Sequence, residues 1–348
     1  MPRVPTLFIV ALLALGLSVA RTGGADWSPQ LAAQYLDARQ QAWFAWKPAM
    51  SPNGPCVSCH TGMTYLMARP ALRRALGEKQ PTAYERGLLD RLRSNVGAKP
   101  PGALQDVEVI FAALFLAEQD AGRAMSADTR MAFDQLWTLQ RPEGPAKGAW
   151  QWYSANLDPW ENPGSLLYGA ALAAMAVGTT STDSRRAAPA SEQTATLTSY
   201  LASSTTPERP LHDRLAVLWA SSKLPEVLPE APRTALVAET FAKQSADGGW
   251  SIDSIGPWAP HAAAPPAAGS STYATGFVAF ALQRSGIPSS DPRLVRALGW
   301  LRSQQQPDTG AWAAVSMNKR YPPGSMEALF MQDAATAFAS MALLEGGR

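Results

Sequence analysis

Gln244-Ser245-Ala246-Asp247-Gly248-Gly249-Trp250 and Gln306-Pro307-Asp308-Thr309-Gly310-Ala311-Trp312 share the frame Q-x-x-x-G-x-W. A third copy starts as Gln140-Arg141-Pro142-Glu143-Gly144 and reaches Gly148-Ala149-Trp150 after an insertion of four residues. Each tryptophan is followed by a loop rich in proline and glycine, then by a run of small and apolar residues: Tyr168 to Val177, Tyr273 to Leu282 and Asp333 to Leu343. Each copy is preceded by an amphipathic stretch, Asp128 to Gln140, Pro232 to Gln244 and Pro292 to Gln306, with charges such as Arg130, Asp134, Glu239 and Arg296 along one side. A helix that is apolar all round is buried on every side, whereas an amphipathic one lies at a surface. Repeating pairs of one half-exposed and one fully buried helix predict an all-α fold, a two-ring α/α barrel. Thr82 to Val96 with Leu104 to Gln119, and Gln193 to Ser203 with His212 to Ser222, supply two further pairs without the turn. The expected total is about five hairpins.

The turn resembles the "QW" motif of squalene-hopene cyclases, in the terpenoid cyclase and protein prenyltransferase superfamily of α/α-toroids. The resemblance spans Gln105 to Leu344 and implies that Gln244 with Trp250, Gln306 with Trp312, and the interrupted Gln140 with Trp150, tie successive hairpins together. It does not carry the family's chemistry. The D-x-D-D acid cluster of the cyclases is absent, and no cysteine remains for a prenyltransferase zinc once the two present are otherwise used. Asp333, at the start of an apolar run, reads as a helix cap. Glu161 reads as a solvated or salt-bridged residue of a loop over one mouth, and Trp43, Trp46, Trp150, Trp152 and Trp160 read as structural wedges.

Both cysteines and one of three histidines fall in Cys56-Val57-Ser58-Cys59-His60. C-x-x-C-H reads as a c-type haem attachment: two thiols one helical turn apart add to the vinyl groups, and the following imidazole faces the iron. A disulfide here would close a tiny loop of little value, and a structural zinc wants four ligands, with His212 and His261 far off in the chain. The expectation is one covalent haem c on Cys56 and Cys59 with His60 as the metal ligand. Met63 and Met67 would emerge on the proximal side, which leaves Met50, Met125, Met131, His212, His261 or Met317 for the sixth position. Taken singly, His212 and His261 read as ordinary loop or cap residues.

Arg3, the apolar run Leu7 to Leu17 and Ser18-Val19-Ala20 form a secretory signal pattern. The expected division is 1–20 signal peptide, 21–100 haem-attachment segment and 101–348 toroid, in a periplasmic or otherwise exported protein with no stable membrane span. A net charge of +2 without a basic run argues against nucleic acid. Twelve Trp, 29 Pro and 26 Gly fit long, turn-rich connections pinned by indole rings. The functional expectation is a monohaem cytochrome-like protein in electron transfer or haem redox chemistry, served by a redox partner protein or a small apolar ligand. The alternatives are a haem-dependent or cyclase-like enzyme acting on a terpenoid or lipid, and a partner-binding module with structural haem.

Overall fold

The computed structural model describes residues 27–51, 53–97, 105–187 and 190–347, so the expected signal peptide lies outside the described residues. In chain order the helices are α1 (Pro29–Ala45), α2 (Gly62–Ala75), α3 (Ala83–Asn95), α4 (Gln105–Gln119), α5 (Ala127–Leu139), α6 (Leu166–Thr179), α7 (Thr182–Arg186), α8 (Ala190–Ser204), α9 (Leu211–Ala220), α10 (Glu230–Ala242), α11 (Thr272–Arg284), α12 (Pro292–Gln304) and α13 (Phe330–Glu345). One two-residue ribbon, Met50–Ser51 against Gly54–Pro55, precedes α2.

Helices alternate between two rings as the sequence predicts. α6 is buried at every residue from Leu167 to Val177, and α11 from Thr272 to Gln283. α12 buries only Leu294, Ala297, Leu298 and Leu301, the i, i+3, i+4, i+7 stripe of a helix with one face on a core. The inner ring is α2, α4, α6, α9, α11 and α13, with α4 on α6, α6 on α9, α9 on α11, α11 on α13 and α13 back on α2. α1, α3, α5, α8, α10 and α12 stand outside. Among the described residues this makes six pairs rather than five.

The turns show why the motif needs its three residues. Trp150, Trp250 and Trp312 each donate their indole N–H to a carbonyl near the end of their own outer helix, on Leu136, Thr240 and Leu301, at 2.7, 2.8 and 2.7 Å. Carbonyls in the last turn of a helix run out of i+4 donors, and a buried indole supplies one; the Thr240 carbonyl also accepts from the Lys243 N–H at 3.2 Å. The glutamine reaches the neighbouring pair. Gln140 donates to the carbonyls of Gly148 and Gln193, and Gln244 to those of Gly248 and Arg293. Gly248 has φ +97°, and a Cβ there would lie 2.9 Å from the backbone of Arg296 on the next outer helix, so only glycine fits.

In the last copy the tie is made by Gln305, not Gln306. Gln305 donates to the carbonyls of Gly310 (3.0 Å) and Ser28 (2.9 Å) and accepts from the Ser28 N–H at 2.6 Å. Ser28 is the N-cap of α1, so this amide joins the last outer helix to the first and closes the ring.

The N-terminal segment is part of that ring. α2 and α1 both pack on α13, so the N-terminal segment that the sequence reading sets apart as haem-binding supplies the first pair of the ring. The first pair lacks the Gln/Gly/Trp turn, and α2 carries Arg69, Arg73, Arg74 and an internal Pro70, so neither periodicity nor motif displays it as a ring member, whereas α3 with α4 and α8 with α9 are the two turnless pairs that the sequence predicts.

Candidate functional site

In a ring of helical hairpins the inner helices run parallel, and their N-termini share one mouth. The long segments leading into α2, α6, α11 and α13 meet there, and with them all three histidines of the chain. Asp158 and Trp160, in the segment before α6, are the hub. The Trp160 ring centre lies 6.3 Å from that of His60 and 5.3 Å from that of Tyr273, and its indole N–H donates to the Tyr273 hydroxyl at 3.0 Å. Tyr273 in turn bonds His212 Nε2 at 2.8 Å. Asp158 Oδ2 stands 3.1 Å from His261 Nε2. The hub is itself fixed: Trp152 donates to the Trp160 carbonyl, Asn162 to Asp158 Oδ1, and the Asn318 side chain bonds both the N–H and the carbonyl of Asp158.

His60 ends the turn before α2. Its Nδ1 is 2.8 Å from Thr61 Oγ1, whose hydroxyl donates to Asp333 Oδ2 at 2.8 Å. Asp333, fully buried on α13, is gripped by Arg39 through two bonds of 2.7 and 3.1 Å and by the Tyr35 hydroxyl at 2.8 Å. The imidazole stacks on Phe330 at 3.6 Å, with Trp43 edge-on at 5.5 Å. Burial, aided by the Arg39 charge, pushes its pKa down to about 3, so the ring is neutral. Burial also pushes the Cys56 thiol up to about 11 and the Cys59 thiol well above its ordinary range, so both stay protonated.

His212 opens α9, with Asp213 Oδ1 on Nδ1 at 2.8 Å. Asp213, His212 and Tyr273 thus form a continuous hydrogen-bonded row. Tyr168 stacks on His212 at 5.2 Å, Phe277 lies at 4.7 Å and Trp258 at 5.7 Å. Burial raises the pKa values of Asp213, Glu161 and Tyr273, which favours the proton-carrying form of each.

Trp258 is also a wall. On its other side is a cleft of about 780 Å³, lined by His261, Trp300, Gln304, Gln332 and Asp253. At the opposite end of the ring a smaller cavity of about 350 Å³ is lined by Leu66, Phe115, Met175, Trp219, Phe280 and Met341, one side chain from each inner helix. Its rim is held by the ion pairs Arg73–Glu85, Lys223–Glu118 and Arg284–Glu345.

These surroundings correct the haem-protein reading. Cys56, Cys59 and His60 do stand together, but none of them lines either cavity. Rings from Phe330, Trp43 and Trp160 pack around the imidazole. Among the described residues no three His, Cys, Asp or Glu side chains converge as a metal site. Of the sixth-ligand candidates, Met50 and Met131 are exposed, Met317 is on the cleft wall, and His212 and His261 are engaged by Tyr273, Asp213 and Asp158. Asp333 is not a simple cap but the buried carboxylate behind His60, and Glu161 is half-buried, with burial raising its pKa. Trp150 is the structural wedge expected, whereas Trp160 joins the three histidines. Sequence reasoning passed over Thr61, Tyr168, Asp213 and Tyr273. Their shared signal is a polar side chain at or beside the first turn of an inner helix.

No family model and no curated protein matches this sequence. Among solved structures, a polysaccharide lyase superposes with a TM-score of 0.56 at 14% identity, over 91% of this chain and 96% of that one. An inactive variant of the α-1,6-mannanase of Salegentibacter sp. HEL1_6, two adjacent aspartates replaced and α-1,6-mannotetrose bound, superposes with a TM-score of 0.54 at 11% identity, over 91% and 99%. No two acidic residues are adjacent in this chain. The neighbours overturn both the squalene-hopene cyclase resemblance and the cytochrome reading of the pentapeptide, and they support an α/α-toroid fold.

Proposed function

We propose that this protein is a carbohydrate-active enzyme that cleaves an acidic polysaccharide by β-elimination at the N-terminal mouth of the toroid. The observation that carries the reading is the gathering of His60, His212 and His261, remote in sequence, around Asp158 and Trp160. Imidazole and phenol side chains are common general bases and general acids. The cleft beside them offers Trp258 and Trp300 as stacking surfaces and Gln304 and Gln332 as hydrogen-bonding groups. Lys319 and Arg320, exposed beyond Met317 at its lip, supply positive charge for a uronate, as do the inner-helix N-termini.

Asp158 holds His261 at Nε2, which leaves Nδ1 as the acceptor for the proton next to the uronate carboxyl. The electrons of that C–H bond form the new C=C bond, and the bond to the bridging oxygen breaks with its electron pair leaving on oxygen. Tyr273, backed by His212 and Asp213, supplies the proton to that oxygen. Trp258 separates the cleft from Tyr273, so substrate entry displaces this indole. Hydrolysis is a second reading, favoured by Glu161, whose burial keeps its carboxyl protonated to higher pH and so suits a general acid. Treating acidic polysaccharides with the protein and following ultraviolet absorbance tests the choice: elimination yields an unsaturated uronate, hydrolysis only new reducing ends. Secretion, which the signal pattern suggests, suits such a substrate, and no described helix is long and apolar enough to cross a membrane.

A further inference from the structure

We propose that the cleft beside His261 takes a chain end rather than a mid-chain segment, so that the protein shortens an acidic polysaccharide from its termini. Two segments wall this cleft, Ala264 to Thr272 and Ala313 to Met317. They are tied to each other at both ends. At one end the Thr272 hydroxyl donates to the Ala313 carbonyl at 2.7 Å. Beyond the other end the Arg320 N–H donates to the Ala263 carbonyl at 3.2 Å. Position 272 thus pairs with 313 and position 263 with 320, so the segments run in opposite directions, part, and rejoin. The cleft is the space between the two ties.

Asp158 doubles the second tie. Its Oδ2 holds His261 Nε2 at 3.1 Å, and the Asn318 side chain bonds its N–H and its carbonyl, each at 2.8 Å. Asp158 is buried, so this junction is embedded in the mouth rather than hung in solvent. Proline stiffens the longer wall: Pro265 and Pro266 line the cleft with φ fixed by their rings. A groove that grips a polymer in mid-chain must let it leave in two directions. A space whose walls rejoin at both ends admits only what enters through its open face, and for a polymer that is a terminus. The volume of about 780 Å³ falls within the range of about 300–1,000 Å³ usual for small-molecule sites, which suits a short stub of sugar units. His261 stands at the doubly tied end, and Lys319 and Arg320 follow Met317 there, so the base and the positive charge lie together where an inserted terminus stops.

The inference rests on the carbohydrate reading above, and one digestion separates the two. A panel of long uronate polymers, each used intact and after sonication to many more chain ends at equal mass, is treated with wild-type protein and followed by ultraviolet absorbance, reducing ends and size-exclusion chromatography. Chain-end attack predicts products of a few sugar units from the first time point, residual polymer of nearly full length, and an initial rate that rises in proportion to the number of ends, about tenfold for tenfold more ends. Fragments of intermediate length at the first time point, with equal rates on intact and sonicated polymer, overturn chain-end attack and leave the carbohydrate reading standing. No product from any polymer removes the carbohydrate reading and this inference with it. Asn318 acts as a positioning residue in the closure, so Asn318→Ala should raise the share of intermediate-length fragments per bond cleaved about tenfold. A folded Asn318→Ala protein with the wild-type product distribution overturns the role of that tie.

Discussion

The two ends of the inner ring are built from the same helices and differ in what their terminal turns carry. At the N-terminal mouth stand two hydrogen-bonded rows, His60 with Thr61 and Asp333, and Asp213 with His212 and Tyr273, and Tyr168 stacks on His212. At the opposite end stand Phe115, Met175, Trp219, Phe280 and Met341 around a cavity whose charged lining residues pair with one another, as in Arg73–Glu85, Lys223–Glu118 and Arg284–Glu345. Buried polar groups stabilise less than apolar side chains of the same size, so a fold selected only for stability would fill both ends alike. The polar end is where the chain departs from what stability favours, and such departures gather at functional sites.

The sharpest way to break the contrast is to remove one proton-transferring group at the mouth. Tyr273→Phe and His261→Ala should each lower kcat on an acidic polysaccharide by about 10²–10⁴-fold. At the other end the signs reverse. Phe280→Ala should cost about 3–5 kcal/mol in chemical denaturation, because a buried ring beside a cavity leaves unfilled space, while the fraction that remains folded keeps its kcat. A loss of activity per folded molecule in Phe280→Ala would show that the two ends are coupled.

The ring itself was legible because its turns repeat. Gln140, Gln244 and the three tryptophans make the ties the motif implies. The one-residue error at Gln305 arose because Gln304, Gln305 and Gln306 are consecutive, and spacing alone cannot say which amide faces Ser28. The first pair stayed hidden because α1 and α2 join the ring by packing on α13 rather than through a tied turn of their own. The site was less legible still. Cys56-Val57-Ser58-Cys59-His60 has a strong local pattern, but its surroundings come from α1 and α13, more than 250 residues apart for Arg39 and Asp333, where |i−j| is 294. His212 and His261 looked ordinary because nothing near either one in sequence announces Tyr273 or Asp158 as its partner.

A smaller effect sharpens the ring-closure half of the account. Gln305→Ala removes the amide bonds to Ser28 and Gly310, and should cost about 1–3 kcal/mol, read as a lower denaturation midpoint with an unaltered slope. Gln306→Ala should have almost no effect.

The smallest expected change is in pH dependence. His60 has a folded pKa of about 3 against an unfolded value near 6.5, so below that unfolded value the unfolded chain binds a proton that the folded chain refuses. The neutral-His contribution is present above about pH 6.5 and is lost progressively as pH falls toward 3. Denaturation at neutral pH and at about pH 5 should show stability falling on acidification, and His60→Gln should flatten that fall.

The most direct test of the central claim is to add purified protein to a panel of uronate-containing polysaccharides and record ultraviolet absorbance over time. The account predicts a rise from an unsaturated uronate with wild-type protein, and none with His261→Ala or Tyr273→Phe that fold normally. No product from any polysaccharide in the panel, or undiminished product from both variants, would contradict it.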